Sequence, residues 1–289
     1  MTTNGNAADL FGDLDAVRRR HHADHFAPRP LDRMRVLAIV GALAGVLVYG
    51  LVELEFSFAK IFGGLGRLGS IVGLMLPPDP ETWAKAMVYG KALAETLAIA
   101  LLGTLLAAVI AFPLSFFAAR NVNASRVLHF FTRRGLDTIR GVDTLIWALI
   151  WINVVGLGPF AGVLAIMSAD IGAFGKLFSE AMEAADRKPV EGVTAAGGST
   201  AEAVRFGIVP QVLPVIASQI LYYFESNTRS ATIIGIVGAG GIGLHLSEQI
   251  RTLEWQHVSF LILMILVAVA IIDRISSRLR FAIIGPRAV

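Results

Sequence analysis

The sequence predicts an all-α membrane protein, a polytopic helical bundle of about six spans. Three observations carry that class. The 289 residues have a mean hydropathy of +0.67, and 55% are hydrophobic with only 16% charged, whereas soluble domains carry roughly 25% charged residues. The apolar residues come in continuous Leu-, Ile- and Ala-rich runs close to the ~20 residues that a spanning helix needs. Transmembrane barrel strands instead alternate apolar and polar positions over about ten residues. There is no cysteine, so disulfides and thiolate chemistry are excluded.

Residues 1–35 read as a cytoplasmic N-terminal tail. They hold Arg18, Arg19 and Arg20 beside His21, His22 and His25, lack the apolar core of a secretory signal, and are assigned no chemistry. The membrane domain is expected over 36–289. Val36 to Val52 is uncharged and ends at Glu53, giving a first span. Glu53 to Glu81, rich in glycine and with Pro77, Pro78 and Pro80, is expected to be an exterior loop lying on the membrane. Thr96 to Ala119 is uncharged over a full span, with Pro113 near its end where neighbouring helices can satisfy a freed carbonyl. Gly156-Leu157-Gly158-Pro159 then stops one helix and starts another, so Leu136 to Val155 and Phe160 to Glu180 are expected as two spans joined by a tight turn. Phe206 to Phe224, extended toward Val237, makes the fifth, and Trp255 to Ile272 the sixth.

The basic residues orient these spans. With both termini inside, nineteen of the 25 Lys and Arg residues face the cytoplasm: six on the tail, five between Arg120 and Arg140, four between Lys176 and Arg205, and four from Arg274 to Arg287. Lys60, Arg67, Lys85, Lys91 and Arg251 fall outside, and Arg229 lies within a span. The excess of cytoplasmic cations favours a multi-pass protein of the cytoplasmic (inner) membrane with both termini cytoplasmic.

This orientation puts a polar, glycine-hinged island at 184–210 in the cytoplasm. The stretch from Glu191 through the end of the island to Pro214 reads EGVTAAGGSTAEAVRFGIVPQVLP. Pro189 precedes a short helix, and Gly197 and Gly198 stop it with the φ freedom a sharp turn needs. Ser199 followed by Glu202 is a capping box that restarts a helix, and Pro210 marks entry to the next span. Small residues at Gly192, Ala195, Ala196, Gly197 and Gly198 leave the backbone open to close approach by another surface.

Along the fifth span, Gln219, Tyr222, Tyr223, Ser226, Arg229 and Ser230 fall on one broad face at 100° per residue. Glu225 and Arg229 stand four apart, so they can pair. Each would cost about 2.5–3.5 kcal/mol at mid-bilayer on insertion scales. That face, with Ser226, Asn227 and Arg229 able to tolerate an anionic group, is expected to line a substrate path. Asp143, Asn153, Asp170 and Glu95 are expected to be caps or interfacial groups at span ends. Trp147 and Trp151, one turn apart, are expected to pack or anchor.

Glu191, Ala195, Ala196, Gly197 and the closing Ile208-Val209-Pro210 resemble the EAA signature of ABC-importer permeases, although the first two alanines of that motif are here Gly192 and Val193. Glu95-Thr96-Leu97 with Gly103-Thr104, the stretch from Pro113 to Asn121, Val155 to Phe160, and the run from Ile233 to Gly243 extend the resemblance to the phosphonate ABC-transporter permease family, over about residues 90–280. The resemblance implies a type I, MetI-like importer permease fold and a homodimer in membrane lipid. Two P-loop ATPase subunits would dock on the island, and an exterior substrate-binding protein would sit above. ATP and Mg would then be bound by the partners and no cofactor by this chain, which contains no G-x-x-x-x-G-K-[ST]. Nucleic acid is not an expected partner. The implied activity is import of phosphonate-like oxyanions by alternating access, with phosphite and phosphate as alternatives. From another class, the alternative is an ATP-independent secondary transporter or a channel: a carrier would be expected to show internal repeats, of which none is found, and a channel has no use for a glycine-hinged docking loop. H-E-x-x-H and G-x-S-x-G are absent, so the chain is not read as an enzyme. Gly238, Gly240 and Gly243 match G-x-G-x-x-G, but they follow a membrane segment and are read as a glycine-rich outer turn.

Overall fold

A computed structural model describes residues 30–122 and 125–285. Most of the expected tail, including its histidine and arginine clusters, lies outside the described residues. Every regular element among the described residues is helical. The chain divides into two units, one up to Gly69 and one from Ser70 onward.

The first unit holds α1 (Pro30–Glu53) and most of α2 (Phe58–Leu74). From Val36 to Val52 the side chains of α1 are apolar and exposed, as on a helix surrounded by lipid. α2 occupies much of the stretch expected as an exterior loop. Its glycines masked a helical stripe, because Phe58, Ile61, Phe62, Leu65, Leu68 and Val72 recur at spacings of three and four.

The second unit is a bundle built around α3 (Trp83–Ala118) and α6 (Pro159–Glu183). α3 starts well before Thr96, at an N-cap where Thr82 Oγ1 accepts from Lys85 N at 3.4 Å. Apart from Tyr89 and Ile99, its buried stripe is made of small residues, among them Ala100, Gly103, Ala107 and Ala111. A Cβ at Gly103 would come 2.7 Å from Ile166 Cβ. In a bilayer, where burying apolar surface gains little, such close backbone approach is what joins helices.

The third expected span is not one helix. α4 (Arg126–Arg140) and α5 (Thr144–Val155) meet at 87°. Asp143 is the reason for the restart, since its Oδ1 accepts from Leu145 N at 2.8 Å and caps α5. Among the described residues, five helices are long and apolar enough to cross a membrane, or six if this bent pair counts as one span. The remaining elements are α7 (Arg187–Ala195), the single turn α8 (Thr200–Glu202), a π-helical segment (Ala203–Ile208), α9 (Val209–Ile236), α10 (Ile242–Arg251) and α11 (Trp255–Ile284).

Three apolar clusters knit the unit together. Phe174, stacked on Phe178 at 5.1 Å between centroids, packs with Met182, Ile208 and Val212. Ile99, Ile166 and Ile234 centre the second cluster, and Tyr89, Ile242 and Leu261 the third. Each joins α3 to residues of α6, α9, α10 or α11, which holds α9 in place between the island and the glycine turn that follows it.

Candidate functional site

The island folds as an elbow. Asp186 caps α7 by accepting from Lys188 N at 3.1 Å, and Pro189 falls in the first turn, where a missing N–H is tolerated. The helix ends at Ala195. Gly197 adopts φ 87°, a conformation open to glycine and strained for side-chain-bearing residues, and Gly198 N donates back to Val193 O at 3.0 Å. The capping box read from the sequence is formed: Ser199 Oγ accepts from Glu202 N at 3.4 Å, and Glu202 Oε2 accepts from Ser199 N at 2.7 Å.

The second limb then folds against the first. A Cβ at Gly207 would lie 3.0 Å from Val190 Cα, so the two limbs approach backbone to backbone. Gln211, which sequence reasoning missed, clamps their base. Its Oε1 accepts from Asp186 N at 3.0 Å, while Nε2 donates to Asp186 O at 3.0 Å and to Gly207 O at 2.5 Å. Outside this clamp, Glu191, Gly192, Ala195, Ala196, Gly197, Ser199 and Pro210 are exposed and Gly198 is half-buried. Beside the elbow is a cavity of about 270 Å³ lined by Asn121, Glu183, Arg187, Val190, Glu191 and Ile208. Its wall is braced by Arg133 on Glu183 at 3.2 Å and on Glu180 at 3.4 Å.

α9 carries the eight residues expected along a substrate path, and the structure separates them. Tyr222 and Arg229 are exposed, while Gln219, Ser226 and Ser230 are half-buried beside them. Tyr223 turns inward, its ring 4.7 Å from that of Phe174. Asn227 also points into the bundle, donating from Nδ2 to Thr104 Oγ1 at 2.8 Å and to Asp170 Oδ2 at 2.5 Å. It joins α3, α6 and α9 and does not share the exposed face. Asp170 accordingly is not a span-end group. It is mid-helix and 5% exposed, and its position relative to Asn227 could not be seen from either local sequence.

Glu225 is buried and serves two arginines. The expected partner Arg229 lies 3.7 Å away, and Arg280 of α11 lies nearer, at 3.1 Å. Arg280 was also missed, because 55 residues of chain separate it from Glu225 and no motif links them.

At the far end of α9, Gly238, Gly240 and Gly241 all have positive φ. This glycine turn is pinned: Glu95 Oε1 accepts from Gly241 N at 2.9 Å, Thr96 Oγ1 accepts from Ile242 N at 2.8 Å, and Gly158 N donates to Gly238 O at 3.0 Å. Glu95 is thus bonded to a turn far away in sequence. Trp151 Nε1 donates to Ser168 Oγ at 2.9 Å, fixing α5 on α6.

Residues 111–284, which include the elbow and the whole of α9, match the family described as binding-protein-dependent transport system inner membrane component. The chain belongs to that family. HtxC of Stutzerimonas stutzeri, named for phosphite transport, is 40% identical over 233 residues, covering 81% of this chain and 82% of its own. The phosphite transport system permease protein PtxC of the same organism is 34% identical over 223 residues, 76% of this chain and 79% of its own. The phosphate-import permease protein PhnE of Mycolicibacterium smegmatis is 34% identical over 263 residues, 91% of this chain and 49% of its own length. Among solved structures, the MetNI methionine ABC transporter has a TM-score of 0.62 over 70% of this chain and 99% of the matched chain, at 17% identity, and so shares the fold. The expected MetI-like architecture therefore holds. This transport component is a multi-pass inner-membrane subunit of a binding-protein-dependent importer.

Proposed function

We propose that this chain is the permease of an ATP-driven importer that carries phosphonate-like oxyanions, namely phosphonate, phosphite or phosphate, into the cytoplasm by alternating access. The observation that carries this reading is the exposed, capped and clamped elbow at 184–210, a rigid knob of small residues continuous with a membrane-crossing helix. With no ATP-binding sequence in the chain, ATP and Mg belong to two partner ATPase subunits that seat on Glu191 to Ser199. Their closure pushes the elbow, and α9 transmits the push to the membrane interior.

The substrate class rests on the names of the relatives and on the arginine-bearing face of α9. Contacts along Tyr222, Ser226 and Arg229 are weak by design, because tight binding would obstruct release. Selectivity then rests mainly with the exterior binding protein. One chain leaves Val215, Tyr222, Arg229, Ile233 and Ile236 of α9 exposed, which supports a second copy of the permease facing it across the path. Both termini are cytoplasmic on this reading, as the distribution of Lys and Arg favours.

Co-purification with the ATPase and binding protein, followed by ATPase assays with phosphonates, phosphite and phosphate, tests the proposal. Stimulation by at least one of the three is expected. No stimulation by any of them would remove the substrate class, and failure of the ATPase to co-purify would remove the elbow's role.

A further inference from the structure

The Glu225 carboxylate has one oxygen toward each of two arginines. Oε1 faces Arg229 Nη1 at 3.7 Å, and Oε2 faces Arg280 Nη1 at 3.1 Å. The two arginines differ in surroundings: the Arg280 side chain is 23% exposed and that of Arg229 is 51% exposed. The shorter contact is an ion pair by distance without a hydrogen bond, since Glu225 Oε2 and Arg280 Nη1 are both buried atoms with no aligned partner. Buried polar atoms are ordinarily paired. The guanidinium of Arg280 also lies 6.0 Å from the ring of the exposed Tyr222, which places it beside the face that carries Arg229.

This cluster holds two cations and one anion, with donor capacity unspent. A guanidinium has five N–H donors and matches tetrahedral oxyanions through paired, charge-assisted bonds. One carboxylate cannot saturate two such groups.

The geometry points to a two-arginine transit site in which Arg280 is the second arginine and Glu225 is a built-in surrogate anion. Glu225 occupies the arginines when the path is empty, and a passing oxyanion displaces it from Arg229 first, because that contact is longer and more exposed. Competition with Glu225 keeps the anion's residence short. This inference rests on the import reading above and deepens it by naming the groups that meet the anion and the one that expels it.

The test uses the purified complex with its ATPase. Unfolding midpoints are measured with and without millimolar inorganic phosphate, phosphite or methylphosphonate, with chloride as the control, because a ligand that binds the folded state raises the midpoint. E225Q is expected to gain an oxyanion-dependent upward shift larger than that of wild type, while E225Q/R280M loses the gain. Should E225Q fail to fold with two unpaired arginines, E225D retains the charge with a shorter reach and is expected to show an intermediate shift.

In proteoliposomes with the binding protein, E225Q is expected to lower the maximal uptake rate several-fold without raising the half-saturating concentration. A merely structural ion pair would lower stability in E225Q with no oxyanion-dependent shift, and that result overturns the inference. So does a shift that survives R280M. If the wild-type complex takes up none of the three anions, the import reading itself fails. If it takes them up and E225Q and E225D show no added shift, only the two-arginine site fails.

Discussion

Gly197 turns the chain at φ 87°, where an L-residue is strained by roughly 1–2 kcal/mol. Gly197→Ala should therefore displace the elbow while leaving the membrane helices intact. Reconstituted complexes are expected to hydrolyse ATP at near wild-type rates with uptake reduced several-fold; unaltered uptake would remove Gly197 from the coupling path. Arg229→Ala should impair uptake of anions and leave ATPase co-purification unchanged, which a pull-down beside a transport assay measures. Asn227 calls for a stability measurement. Asn227→Ala strips the buried Asp170 of its partner and should lower stability by about 1–2 kcal/mol, whereas Asp170→Asn keeps an acceptor and should cost less. Which single residues were legible from sequence follows from range. Ser199 with Glu202 could be read because a capping box closes within one helical turn. Gln211, Arg280 and the Asn227–Asp170 contact could not be, because their partners come from segments 25 or more residues away.

The elements sort by the same logic. α6, α9 and α11 were legible because long apolar runs leave little choice to a chain in lipid. α2 was not, since its glycines looked like loop punctuation while its apolar residues kept helical spacing. The break between α4 and α5 was also hidden: the charged α4 and apolar α5 looked like one span with a polar end, although Asp143 was recognisable as a cap. For the elbow, the decisive element-level contact is the Gln211 clamp. Gln211→Ala removes two hydrogen bonds that tie the cap of α7 to the base of α9 and a third to Gly207 O on its own limb, at a net of about 0.5–1.5 kcal/mol each. The helices should persist, while hydrogen exchange over residues 186–199 accelerates and uptake per ATP hydrolysed falls. Unchanged exchange would mean that Gly207 against Val190 suffices to hold the elbow.

For the whole molecule, the absence of cysteine makes topology directly measurable. Single cysteines at Ser199 and at Leu157 are expected to react with a membrane-impermeant maleimide from opposite sides, Ser199→Cys from the cytoplasm and Leu157→Cys from the exterior. Labelling of both from one side would overturn the orientation drawn from the basic residues. Both positions are exposed in the single chain. Between them runs α9, and it is joined to the elbow through the π-helical segment Ala203–Ile208. A π turn takes up about one residue more than an α turn. Were that segment to tighten into α-helix, everything beyond it would rotate by about 100° and advance by about 1.5 Å. A push on the elbow can thus leave as torque: the face bearing Tyr222 and Arg229 would swing about the helix axis like a camshaft lobe, presenting its arginine to a different quarter of the path while the elbow itself hardly moves.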